Sequence, residues 1–409
     1  MFFPRKFENP IEKKQKKNRH TKTPKKNTKN TKRKETMMTS IDNAVFVGIN
    51  GKVTAELAIN ETNVELWKTG LPGVGWNKVT VLCVPADERV YATSHGKVFA
   101  LDRRTGTIIW RTIKSAYPAL SGAMWCSMLP LGGFLLVGGK GAVACLSRID
   151  GQCIWQNSLP GTGYYSVTLQ TLVTPAFPEG AVLACTNGRI CALSLFNGRE
   201  LWRFDSQLES SVSVIQDTLG TLHVGVGGTI FRVDPTTGAM VSRFDLKGSG
   251  ILPVGIALAN GILFAATWGQ LWAFDALTHT MFWKNELKGC RYGRGLSVIA
   301  LPNAADGSSR GVVVGIASRV VFVSALGRVT KIVELGSGNA HVSFITIAAE
   351  TLIASSTGQF FGLSFTGDTL FQNELSGLGF GYLTTSSLYS NLDPHSCPIF
   401  GDYEQLCKS

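Results

Sequence analysis

Charge is scarce in this sequence and paired cysteine is absent. Only 17% of the 409 residues are Asp, Glu, Lys or Arg. That is thin cover for long solvated helices and suits many short strands joined by tight turns. Nine cysteines occur at irregular spacing: Cys83, Cys126, Cys145, Cys153, Cys185, Cys191, Cys290, Cys397 and Cys407. No two are adjacent and no C-x-x-C is present, which argues against metal and redox roles. The expected state is reduced thiols packed as small hydrophobes, in a cytosolic protein that the basic tail could carry to the nucleus. Six histidines, His20, His95, His223, His279, His341 and His395, are scattered without ligand spacing. There is no G-x-S-x-G elbow, and Gly132-Gly133 and Gly138-Gly139 lack the strand–loop–helix setting of a phosphate loop. The apolar stretch Met1–Phe7 is too short for a secretory leader. Residues 251–274 carry no charge over 24 positions, long enough to span a bilayer. Turns at Ala259-Asn260-Gly261 and Trp268-Gly269-Gln270 divide that run, so it is predicted to form three buried strands and no membrane span.

Charge that is present sits at one end. Residues 1–40 hold 14 Lys/Arg and 3 Glu, which leaves 26 basic and 25 acidic residues for the rest. The net charge of +12 therefore belongs to a tail, and the body is close to neutral. Low hydrophobicity with dense like charge predicts that 1–40 is disordered. A solvated extension, a nuclear-localisation signal, an RNA-binding arm and a patch for anionic lipid all fit it. Contact with nucleic acid is expected only through this tail.

Internal repetition dominates the body. Gly96 opens Gly-Lys-Val-Phe-Ala-Leu-Asp-Arg-Arg-Thr-Gly-Thr-Ile-Ile-Trp, which ends at Trp110. The frame returns at Gly141–Trp155, Gly188–Trp202 and Gly269–Trp283, and at Gly228 with Ser242 in the tryptophan position. Weaker copies start at Gly51 (reaching Trp67), Ser318 and Gly358 (ending at Phe371). Eight anchors result, 40–49 residues apart. Within one repeat, Val90–Thr93 is a strand, His95-Gly96 a two-residue hairpin turn, Val98–Leu101 a strand, and Asp102–Gly106 a second turn. An outer strand follows. An inner strand before each run, such as 77–84 or 210–216, completes a four-stranded antiparallel unit. A repeat of this length with four strands is a propeller blade. The first repeat has no inner strand upstream, whereas Gly381–Tyr389 is a surplus strand at the other end. It is predicted to close the ring and cover an open edge. The fold class is all-β: an eight-bladed β-propeller over 41–390, a disordered basic tail over 1–40 and an extension over 391–409.

The run Ala100-Leu-Asp-Arg-Arg-Thr-Gly106-x-x-x-Trp110 resembles the tryptophan-docking motif of PQQ-repeat propellers, as do Ala192–Trp202 and Ala273–Trp283. This superfamily includes eight-bladed quinoprotein dehydrogenases and non-enzymatic BamB-like members. The resemblance covers about residues 44–390 and implies that Trp67, Trp110, Trp155, Trp202 and Trp283 dock neighbouring blades. Ser242, the region of Lys331, and Phe371 depart from the motif, so irregular docking is expected there. A dehydrogenase of this type needs a Ca²⁺ site of carboxylate and amide oxygens with an Asp base, and many carry a vicinal cysteine pair. Neither is visible here. The resemblance therefore points to the BamB-like members, with no catalytic residue, metal or cofactor.

A second repeat lies in the loops between blades. Six share a form, among them Leu71-Pro-Gly73-Val-Gly75-Trp76, Leu159-Pro-Gly161-Thr-Gly163-Tyr164-Tyr165 and Leu375-Ser-Gly377-Leu-Gly379-Phe380. In a propeller these loops ring the mouth of the central channel. They would present Trp76, Tyr164, Tyr165, Tyr292, Phe380 and Tyr382 with Arg291, Arg294, Asn339 and His341; Ala116–Ala119 and Trp125 would extend the rim. Aromatic and Arg side chains on a loop face match the composition of binding hot spots. The same glycines also suit a tight crossover with no ligand. The expected function is a monomeric, non-enzymatic scaffold holding a protein partner, with a quinoprotein oxidoreductase and a glycan-binding propeller as alternatives.

Overall fold

The chain divides into two units, Met1–Thr39 and Ser40–Ser409. The computed structural model describes residues 41–59, 62–85, 87–112, 118–123, 126–248, 250, 252–288, 296–304, 306–336, 342–347, 351–356, 358–375 and 384–387. All belong to the second unit.

That unit is eight four-stranded antiparallel sheets. Blade 2 shows the pattern: Thr80–Cys83 innermost, then Arg89–Ser94, Lys97–Asp102, and Ile108–Arg111 outermost. Blades 3 to 8 repeat it over 127–157, 168–205, 213–245, 255–286, 296–334 and 343–374. Blade 1 is built from both ends of the unit. Its three outer strands are Ala44–Ile49, Lys52–Ile59 and Thr62–Gly70, and its inner strand is Thr384–Ser387. Val45 to Gly48 pair antiparallel with Ser387 to Thr384. The uncharged run 251–274 forms three strands, Gly255–Ala259, Ile262–Thr267 and Gln270–Asp275. No described helix is long and apolar enough to cross a membrane.

Local chemistry explains the regularity. At the hairpin joining the second and third strands of blade 2, His95 and Gly96 both have positive φ, 56° and 73°. This is the mirror-image turn whose twist matches antiparallel strands. A Cβ on Gly96 would stand 1.8 Å from the Leu120 carbonyl oxygen, so only glycine lets the following loop close over the turn. In the next turn Asp102 accepts hydrogen bonds from the Arg104 and Thr105 amides, at 3.0 and 2.8 Å.

The core is divided among the joints between blades. Eight buried clusters each draw on two neighbouring blades. The closing cluster joins Val45, Val47 and Ile49 of blade 1 to Ile353, Phe360 and Leu375 of blade 8. Tryptophan pins these joints. Trp67 lies against Gly106 and donates to the Arg103 carbonyl at 2.9 Å. Trp110, Trp155, Trp202 and Trp283 donate to Arg148, Leu195, Pro235 and Ala325 carbonyls at 3.1, 2.9, 2.9 and 2.8 Å. Their rings lie on Gly151, Gly198, Gly238 and Gly327.

A β-bulge aims each docking side chain. In every blade the register slips just before the docking position. The extra residue is turned outward, which accounts for exposed Ile109, Ile154, Val241, Phe282 and Leu370.

Two of the three departures from the motif are compensated across the strands. Opposite Trp67, Trp110, Trp202 and Trp283 stands Ala55, Ala100, Ala192 or Ala273, and opposite Trp155 stands Cys145. Ser242 faces Arg232, Lys331 faces Phe322, and Phe371 faces Gly362. At Ser242 and Lys331 a smaller docking residue meets a larger partner, which keeps the volume of the joint, whereas Phe371 and Gly362 are both smaller than the pair they replace. Lys331 lays its stem over Gly367 and pairs with Asp368 at 3.2 Å. Ser242 leaves room for His279, which occupies the turn position held elsewhere by glycine.

Candidate binding face

Hydrogen bonds sort the turns onto two faces. The hairpins between second and third strands bond to the loops between blades. Amides of Leu71, Leu246, Leu287, Leu335 and Leu375 donate to carbonyls of Gly51, Gly228, Gly269, Ser318 and Gly358 at 2.8–3.1 Å. The hairpins between first and second strands bond instead to the docking turns, as Arg103 to Glu88 and Ala276 to Gly261, both at 2.8 Å. One face thus carries the inter-blade loops, the other the docking turns.

The shared form of the loops is a packing device. Leu71, Leu159, Leu246, Leu287, Leu335 and Leu375 are all buried. A Cβ on hairpin residue Gly51 would stand 1.8 Å from the Gly75 carbonyl oxygen, and one on Gly141 would stand 1.9 Å from that of Gly163. Two of these loops hold an aromatic ring out at the same position of the shared form. Trp76 is 76% exposed and Tyr164 is 84% exposed. Each stands under a lysine of its own blade: Lys52 Nζ is 5.8 Å from the Trp76 ring centroid, and Lys140 Nζ is 5.3 Å from that of Tyr164. Tyr165 is half-buried, with its ring over Gly163, and its carbonyl accepts from the Gly141 amide at 2.7 Å. Trp76 leads from blade 1 to blade 2 and Tyr164 from blade 3 to blade 4, so the two rings stand two blades apart. Arg291, Tyr292, Arg294, Asn339, His341, Phe380 and Tyr382 lie outside the described residues, as do Ala116, Tyr117 and Trp125.

The opposite face holds two polar clusters that sequence reading missed. In blade 5, Asp217 Oδ2 lies 3.1 Å from His223 Nε2, and His223 Nδ1 lies 3.3 Å from His279 Nε2 in blade 6. The ring centroids are 5.5 Å apart. That is about the N···N separation plus one ring radius at each end, so the two nitrogens point at each other. An in-line N–H···N hydrogen bond fits this geometry, whereas two imidazoles on one metal would turn toward a third point. Burial lowers the His223 pKa more than Asp217 raises it. Burial, with His223 and Arg232 close by, pushes His279 down to about 4. Arg232 also donates to the Leu277 carbonyl at 2.6 Å. In blade 2 the corresponding position is Tyr91, which donates to Asp87 at 2.5 Å. Arg148 of blade 3 closes this cluster, 2.6 Å from Asp87. Burial of Asp87 works against its ionisation, but hydrogen bonds from Tyr91 and Arg148 hold its pKa below the usual carboxylate range. Both clusters are blade joints. The signal was there in principle: His279 replaces glycine in the same joint where Ser242 replaces tryptophan.

Burial pushes the thiols of Cys83, Cys145 and Cys191 up to about 12 and that of Cys126 to about 11. Thiols so placed are protonated and unreactive near neutrality. Among the described residues no group of three or more His, Cys, Asp or Glu is placed to hold a metal.

The family model for outer membrane protein assembly factor BamB matches residues 21–223. Over 172 residues the chain is 31% identical to outer membrane protein assembly factor BamB of Yersinia pestis, covering 41% of this chain and 42% of that protein. Over these stretches the chain is similar to PQQ-repeat propellers. Its sequence matches point to BamB-like members. The chain is also 27% identical over 152 residues to the serine/threonine-protein kinase AfsK of Streptomyces griseus, covering 36% of this chain and 18% of the kinase. It spans less than half the length of either curated relative. Among solved structures it is similar to BamB from Moraxella catarrhalis, with TM-score 0.54 at 18% identity over 80% of this chain and 89% of that one. It is similar in the same way to Sqt1 of Saccharomyces cerevisiae, with TM-score 0.62 at 11% identity over 81% and 93%. The C-terminal WD40 domain of Sif2 gives TM-score 0.60 at 10% identity over 79% and 92%. At these identities the structures speak for the fold alone.

Proposed function

We propose that this propeller is a non-enzymatic scaffold that holds a protein partner on its loop face. The observation that carries this reading is the exposure of Trp76 and Tyr164 on loops anchored by buried Leu71, Val74, Leu159 and Thr162. Large rings held out on a rigid frame are the side chains on which interface energy concentrates. The partial match to a factor described as assembling outer-membrane proteins supports protein binding over catalysis. The histidines and carboxylates that come together at His223 and Asp87 are used in blade joints.

Paired variants test this. Trp76→Ala with Tyr164→Ala is expected to release a protein captured by wild type, while Ile149→Ser with Phe196→Ser on the opposite face keeps it. Exposed rings truncated to Ala should leave the melting temperature within about 2 °C, since surface changes rarely exceed 0.5 kcal/mol. Partner loss in the opposite-face variant alone would move the site. Dye-linked alcohol oxidation after reconstitution with PQQ and Ca²⁺ would replace the scaffold reading with an oxidoreductase.

A further inference from the structure

In blades 4 to 8 the residue three positions beyond the docking residue ends the outer strand at the loop face. It is acidic: Asp205, Asp245, Glu286, Glu334 and Glu374. In blades 1 to 3 the residue at this position is uncharged: Gly70, Ile113 and Ser158. The acids stand directly opposite the residue that follows the hairpin, and most engage it. Asp205 binds Arg189 at 2.8 Å, Asp245 binds Thr229 at 2.8 Å, Glu334 binds Arg319 at 2.8 Å, and Glu374 binds Gln359 at 3.2 Å.

Blades 1 to 3 differ in the other sign as well. Each carries a lysine on the hairpin of this face: Lys52, Lys97 and Lys140. No described ion pair uses any of them. Lys97 and Lys140 donate to loop carbonyls of Gly73 and Ser121, at 2.6 and 3.1 Å. Lys52 and Lys140 lie over the two exposed rings. Three cations outside the described ion pairs and two exposed aromatics therefore share one arc of one face, while in blades 4, 5 and 7 the strand-end acids are paired with arginines.

We propose that the loop face of blades 1–3 is the docking surface for an acidic, extended segment of the partner protein. This rests on the scaffold reading and adds the chemistry of the partner. Carboxylates would pair with the ammonium groups of Lys52, Lys97 and Lys140 while Trp76 and Tyr164 flank the chain. In blades 4, 5 and 7 the arginines of this face are already paired with acids, so the segment's carboxylates find fewer free partners there and its position on the ring is set by blades 1–3.

The experiment measures fluorescence anisotropy of labelled octaglutamate against the full chain, tail included. The charge reversal Lys52→Glu, Lys97→Glu, Lys140→Glu should weaken binding by about tenfold, three exposed charge pairs being worth a few tenths to 1 kcal/mol each. Reversing Arg104, Arg199 and Arg328 to Glu on the opposite face should change it by less than about twofold. A photoreactive octaglutamate should form adducts around residues 52–97 and 140–164. Should the triple reversal unfold the chain, the gentler Lys→Gln set at the same positions gives the same ordering. Equal binding by wild type and the lysine variant, or adducts confined to 1–40, overturns the proposal. Partner capture that still depends on Trp76 and Tyr164 in that case would keep the scaffold and discard only the acidic chemistry.

Discussion

A chain ended after residue 378 is expected to lose its cooperative thermal transition and to aggregate. The strand Thr384–Ser387 is the fourth strand of blade 1, and its partner Ala44–Ile49 is buried throughout. Without it the Val45–Gly48 backbone loses its ladder on one side, and buried amides and carbonyls left unpaired cost about 1–3 kcal/mol each. The next blade loses a tie as well, because the Cys83 amide donates to the Ser386 hydroxyl at 2.8 Å. A few such losses approach the whole stability of a typical domain, about 5–15 kcal/mol. The damage does not stop at blade 1, since its cluster with blade 8 joins the ends of the ring. Circular dichroism melting of the truncated chain checks this, and a peptide of residues 379–391 added in trans should recover part of the transition. A truncated chain that melts cooperatively at the wild-type temperature would show that the ring closes by other means.

That closure was legible because propeller strands are short, regular and punctuated. Gly96, Asp102 and Trp110 recur at fixed offsets, each answering a local demand that does not depend on the rest of the chain. The compensation at the weak joints was not legible, because it lies across strands. Arg232 reads as an ordinary strand residue until the register sets it opposite Ser242 and beside His223. Phe322 opposite Lys331 follows the same logic. A one-residue bulge before each docking position hides the pairing from simple counting.

The loops teach a related lesson about function. Their repeated Leu and Gly drew attention in the sequence, yet repetition around a ring records what every blade must do to pack. A binding site on a propeller has to break the repeat, since a partner touches some blades and not others. The informative residues are therefore those that packing does not use. Trp76 and Tyr164 stand out over loops whose leucines are buried, and the acid series stops at blade 4. The same reasoning sets the joint between blades 5 and 6 apart, where a polar row interrupts the tryptophan series.

That joint gives the second large effect. Ser242→Trp in the wild-type chain is expected to destabilise by about 1–3 kcal/mol, because Arg232 and His279 already fill the space and overpacking forces both to move. The same substitution placed in an Arg232→Ala, His279→Gly background should stabilise instead. There it finds alanine opposite and glycine beneath, the arrangement that holds Trp202 and Trp283. His279→Gly also relieves a positive φ of 59°, which glycine adopts without cost. The difference between the two backgrounds, about 2 kcal/mol or more, is the coupling among residues in one packed joint. Urea unfolding of the four chains measures it. The exchange should also alter the acid response. The pKa of folded His279 is about 4, below its ordinary 6.5, so the unfolded chain takes up the proton first. Its contribution is complete above pH 6.5 and is lost as pH falls toward 4. Arg232 and a protonated His279 would then place two cations in one joint, with Asp275 and Asp217 as the nearby acids. Wild type should therefore lose more stability than the exchanged chain between pH 6.5 and 4. Tryptophan that harms both backgrounds equally, or parallel pH profiles, would mean that the His223–His279 pair merely fills space and that the joint does not act as a unit.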